Sequence, residues 1–133
     1  MNNLVWLERL KESFASTGMN YEDLYELIKA SIARGRTSFP ALIHDASKGV
    51  GFSVSEGFFY CLDQDWDDPK DFNEVSFFLG DMETSSISVF DYVFLMKIAA
   101  RVYATFFPDE ASGVLKSAEK LEERYLKKWP YQK

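Results

Sequence analysis

The stretch Val50-Gly-Phe-Ser-Val-Ser-Glu-Gly-Phe-Phe-Tyr-Cys-Leu62, VGFSVSEGFFYCL, changes the character of the chain. The forty-nine residues before it read as helix and loop. This one is rich in Val, Phe and Tyr and is broken by glycines, the signature of two short strands near 50–55 and 57–63. In the second strand Phe58, Tyr60 and Leu62 share one face and Phe59 and Cys61 the other, because side chains alternate along a strand. Both faces are apolar, so this strand belongs in the middle of a sheet.

Downstream, NEVSFFLG predicts a third strand near 73–80, GDMETSS a turn, and Ser86-Ile-Ser88 a brief edge strand. Ser88 with Asp91 resembles a capping box opening a helix over 89–107. That helix is apolar around most of its circumference, as a buried spine must be. Pro108 separates it from a last helix, 109–128, capped by Asp109 and closed by Trp129-Pro130. Its inner stripe is Val114, Leu115, Ala118, Leu121 and Tyr125, and Lys116 and Lys120 face Glu119 and Glu123 on the outside.

Upstream, Leu4, Leu7, Leu10 and Phe14 lie at helical spacing over 3–17, and Gly18 ends the run. A second helix follows Asn20, with Asp23 completing a box-like cap; Leu24, Leu27, Ile28 and Ser31 face inward and Gly35 stops it. RTSFPALIHDASKG reads as irregular, with one helical turn starting at Pro40. The expected fold is α+β: a helical hairpin, a small antiparallel sheet of three to four strands, and two C-terminal helices packed on it. The 133 residues suffice for one domain with a real core.

Composition bounds the function. The chain is 47% hydrophobic and 17% aromatic, so it is globular rather than disordered. Lys97 and Arg101 interrupt the longest apolar run, and MNNLVWLERLKES lacks the form of a secretory signal. One cysteine, Cys61, forms no internal disulfide and suits a reducing cytoplasm. The net charge of −6 argues against direct nucleic-acid binding, which rests on cations. The charge is also uneven: residues 56–91 hold ten acids against one base, net −9, whereas 92–133 is net +3.

The acids concentrate in Asp63-Gln-Asp-Trp-Asp-Asp-Pro-Lys-Asp71, with five carboxylates around one tryptophan. Counted from Asp63, Asp65, Asp67, Asp71 and Glu74 fall on the oxygen positions of a twelve-residue calcium loop. Asp68 occupies the place of its turn glycine, however, Lys70 that of an apolar residue, and the flanks read as strands, not helices. Catalysis finds less support. His44, the only histidine, has Asp45 beside it but no nucleophile at a recognisable spacing and no zinc partners. Gly49-Val-Gly51 lacks the third glycine and the strand-to-helix setting of a dinucleotide loop. The remaining aromatics are expected core, among them Phe59, Phe78, Phe90 and Phe94. Trp66 differs, since the aspartates around it cannot be buried unpaired; an aromatic ringed by charge has the composition of a binding anchor, and a ring folded back over the sheet edge to close the loop is the equal alternative.

The leading expectation is a non-enzymatic binding surface without metal or cofactor, its acids displayed on loops at one end of the sheet. There they would attract a basic partner. Asp63, Asp65, Asp67, Asp68, Asp71, Asp81 and Glu83 are the candidate contact charges, with Trp66 as anchor. A calcium module built on 63–74 and a non-catalytic adaptor subunit are the competing readings.

The G-F-x-Y-x-L-D strand at Gly57–Asp63, the F-x-x-V-x-F strand at Phe72–Phe77, and the capped aromatic helix before Pro108 together resemble a known family. They are similar to bacterial immunity proteins paired with ribonuclease toxins of contact-dependent growth inhibition, over residues 50–110. The resemblance implies a cytoplasmic inhibitor that binds the C-terminal nuclease toxin domain of a cognate delivery protein. It does not fix the contact residues, which come from charge and loop placement. An exposed Ser86–Ser88 edge would also permit a homodimer.

Overall fold

A computed structural model describes residues 3–55 and 57–128. Its elements follow the order α1 (Asn3–Ala15), α2 (Glu22–Ala33), α3 (Phe39–Ser47), β1 (Phe52–Ser55), β2 (Phe58–Cys61), β3 (Glu74–Leu79), β4 (Met82–Ser88), α4 (Val89–Phe106) and α5 (Ala111–Glu122). The four strands form an antiparallel meander in the order β1-β2-β3-β4. This is the expected α+β architecture, and β2 is indeed a central strand, paired on both sides.

Inward-facing Tyr60, Val75, Phe77 and Ile87 join Leu24, Leu27, Ile28, Leu95, Met96 and Ala99 in one buried cluster. Within it Tyr60 and Phe77 stack, and the Tyr60 and Tyr92 hydroxyls, fully enclosed, satisfy each other at 2.9 Å. Burial pushes both phenols well above their ordinary value, because an ionised ring oxygen there would be desolvated.

Several local expectations are corrected. The segment expected to be irregular forms α3, nine residues long. Ser38 caps it by accepting from the Ala41 amide, Pro40 sits in the first turn, and Phe39, Leu42, Ile43 and Ala46 are buried at helical spacing. The turn expected over 80–86 shrinks to Gly80-Asp81, and β4 occupies seven residues. Gly80, at φ +67°, takes the left-handed conformation that a tight reversal needs.

Asp23 does not cap α2; its carboxylate accepts from the Thr84 and Ser85 hydroxyls, fastening α2 to β4. Asp109 does not cap the last helix either. Pro108–Glu110 form a 3₁₀ turn, Glu110 is the N-cap residue without a side-chain cap, and α5 passes after Glu122 into a π turn, Glu123–Lys127. Ser88 does cap α4, accepting from the Asp91 amide.

On α1, Trp6 is buried and Leu4 exposed. On α5, Leu115 is exposed, and Glu122 reaches Lys97 of α4 at 2.8 Å. Phe90 and Phe94, one helical turn apart, are also exposed. Trp129 and Pro130 lie outside the described residues.

Both edge strands are irregular. The β1–β2 register slips between Ser53 and Ser55, and the β3–β4 register between Phe77 and Phe78. Each slip leaves one extra residue, Val54 and Thr84, which interrupts the ladder at the sheet's margin.

Candidate interaction surface

The acidic stretch leaves β2 and returns to β3 through two 3₁₀ turns, Asp63–Asp65 and Pro69–Asp71. Its first half is pinned to the body of the molecule. Asp63 is fully buried, and its carboxylate accepts from Arg124 Nη2 at 2.5 Å and Nε at 3.2 Å. It also accepts from Gln64 Nε2 at 2.9 Å and from the Tyr125 hydroxyl. Burial alone would raise its carboxyl pKa. The donors from Arg124, Gln64 and Tyr125, with the guanidinium charge, outweigh that and hold it below the usual carboxylate range. Burial and the neighbouring Asp63 push the Tyr125 phenol up, and the bonds to Asp63 raise Arg124.

Asp65 is exposed, yet its Oδ2 accepts from the Gly51 amide at 2.7 Å and the Leu62 amide at 2.8 Å. Gly49-Val-Gly51 is the strap that closes this arrangement. A Cβ at Gly49 would sit 2.6 Å from both Arg124 Nη2 and Asp63 Oδ1, and one at Gly51 would sit 2.1 Å from the Tyr60 carbonyl oxygen. The Gly49 carbonyl also accepts from the Gln64 amide at 2.8 Å. Gly49 permits close backbone approach to the Asp63–Arg124 pair, and Gly51 to the Tyr60 carbonyl and the Asp65 carboxylate.

The second half projects. Trp66 is 42% exposed, and Asp67 and Asp71 are exposed with it. Asp68 is half-buried; it accepts from the Lys70 amide at 3.2 Å and pairs loosely with Lys70 Nζ at 3.5 Å. Phe72 turns inward against the Tyr125 ring, 5.6 Å between centroids.

The structure therefore redistributes the candidate charges. Asp63 is an internal anchor and no contact residue, because leaving it unpaired or exposed would undo the Arg124 bridge. Asp81 and Glu83, both exposed, do not join Asp67 and Asp71. They lie at the β3–β4 hairpin, the far end of a six-residue strand that spans about 20 Å. The acids thus occupy two ends of the sheet. At the hairpin end their neighbours are apolar: Leu79 and Met82 face each other across the strands, 61% and 69% exposed.

The calcium geometry is not assembled. Asp63 is committed to Arg124 and Tyr125, and Asp65 to backbone amides. Among the described residues no group of three or more His, Cys, Asp or Glu converges to hold a metal. His44 is exposed in the last turn of α3. No described helix is long and apolar enough to cross a membrane.

The roles of Arg124, Tyr125, Gly49 and Gly51 around Asp63 and Asp65 are not legible in the sequence. No local signal links Asp63 to a partner 61 residues away. No family model, curated protein or solved structure matches the chain.

Proposed function

We propose that this chain is a non-enzymatic, cytoplasmic immunity protein that binds and neutralises a basic ribonuclease toxin domain. The observation that carries this reading is Trp66. It is a large ring left in solvent on a loop whose base is locked by Asp63 and Asp65, with Asp67, Asp68 and Asp71 around it. An aromatic on a rigid base contributes contact area at little entropic cost, and the carboxylates around it select a cationic partner. A ribonuclease must present cationic side chains to hold RNA, so an acidic inhibitor can take the same surface. The resemblance of residues 50–110 to immunity proteins of contact-dependent growth inhibition points to the same partner.

The test is co-expression with the polypeptide encoded immediately upstream. Co-purification with a basic domain that degrades RNA, and whose toxicity this chain relieves, is the expected result. A non-nuclease partner would favour the adaptor reading. A stable toxin complex whose affinity and salt dependence are unchanged by Trp66→Ala with Asp67, Asp68 and Asp71 all changed to Asn would remove this loop from the interface.

A further inference from the structure

Beside the pinned half of the loop lies a pocket that the Trp66 surface does not use. Phe59 and Phe78 stack at 4.9 Å and 14° on the sheet face opposite Tyr60 and Phe77. In their cross-strand row Phe59 is followed on the edge strand by Ser53. Phe78 takes one side of the Phe59 ring, and a serine is too small to fill the other. In the neighbouring position Gly51 has no side chain at all, because the Tyr60 carbonyl leaves no room for one. The result is an open pocket of about 290 Å³ lined by Gly51, Ser53, Phe59, Cys61 and Asp65, among others.

Its charge is anionic and fixed. The two amide bonds to Oδ2 orient Asp65, while Oδ1 accepts no hydrogen bond among the described residues. Burial and the field of Asp65 both push the Cys61 thiol up, so the carboxylate charge is felt inside the pocket. An aromatic wall beside a preoriented carboxylate suits a planar cation, which stacks on the ring while its N–H groups meet the oxygen.

We infer that this pocket receives an arginine side chain of a basic protein partner, the guanidinium lying on Phe59 and paired with Asp65. The inference rests on the inhibitor reading above and adds a second anchor point, on the sheet face next to the Trp66 loop. Because Asp65 is already held, binding costs little reorganisation.

The test titrates the ¹⁵N-labelled chain with N-acetyl-arginine amide, and in parallel with its neutral isostere N-acetyl-citrulline amide, at matched ionic strength. Saturable shifts of the Gly51 and Leu62 amides are expected with the arginine derivative. The citrulline derivative should bind at least about five-fold more weakly. Asp65→Asn should reduce the arginine response by a similar factor. Ser53→Phe, which fills the pocket and leaves Asp65 intact, should abolish it.

Equal response to both compounds, absence of saturation, or a full response in Ser53→Phe would overturn the inference. Alkylation of Cys61 above its thiol pKa separates this outcome from the fate of the inhibitor reading. A toxin that binds yet leaves Cys61 as reactive as in the free chain defeats the pocket alone. A toxin that fails to bind, while the arginine probe still saturates, defeats the inhibitor reading alone.

Discussion

Asp63 and Asp67 are four residues apart in one acidic run, and the fold gives them opposite tasks. Asp63 is enclosed, held by a guanidinium, an amide and a phenol; Asp67 stands in water next to an exposed tryptophan. The difference lies in what the rest of the chain brings to each. The π turn after α5 delivers Arg124 and Tyr125 to Asp63, and meets the second half only at its end, where Phe72 packs on the Tyr125 ring. A run of like charges is thus divided into a foundation and a display.

The largest expected effect breaks the foundation. Arg124→Ala leaves a buried carboxylate without its cation and should cost about 3 kcal/mol, since removing one partner of a buried pair typically costs 3–5 and Arg124 is partly exposed. At this chain length that lowers Tm by roughly 10 °C, readable by calorimetry. Trp66→Ala should leave Tm within a few degrees but weaken binding of the proposed toxin partner by about 2 kcal/mol, roughly 30-fold, in titration calorimetry. A mutant that instead unfolds would place Trp66 in the foundation.

Smaller effects separate the two ends of the sheet. Changing Asp67, Asp68 and Asp71 to Asn should slow association about ten-fold at low salt and flatten its salt dependence, as stopped-flow kinetics would report. The pair Asp81→Asn and Glu83→Gln, at the opposite end, should change the rate by less than about two-fold. Equal effects from both sets would mean that the long-range field, rather than the Trp66 loop, guides the encounter.

Acid sharpens the contrast further. The Asp63 carboxyl is depressed in the fold, so its contribution is complete above its unfolded value, about 4, and vanishes as pH falls through the lower folded value. Wild type should lose stability below about pH 4 more steeply than Asp63→Asn, a difference visible in urea midpoints across that range.

What the sequence disclosed follows the same division. Local signals were readable: both faces of β2 are apolar and it is central; Ser88 precedes an apolar run and caps α4. For Trp66 the sequence left a displayed ring and one folded over the sheet edge equally open, and the ring is exposed. Long-range pairing was not readable. Asp63 looks like its neighbours until Arg124 is placed beside it, and Asp23 looks like a cap until β4 supplies two hydroxyls. Met82–Ser88 has few β-formers, and its pairing with β3 fixes it as a strand. In α3, the proline and the polar His44-Asp45 pair masked an apolar stripe that only the packed neighbours make decisive.

The reach from Asp63 to Arg124 also sets a timetable for synthesis. A nascent chain can pair β1, β2 and β3 as each emerges, but the acidic loop stays unfastened until Arg124 and Tyr125 have cleared the ribosome. A translation product cut short before that point would carry every aspartate of the loop and still lack the latch that sets it.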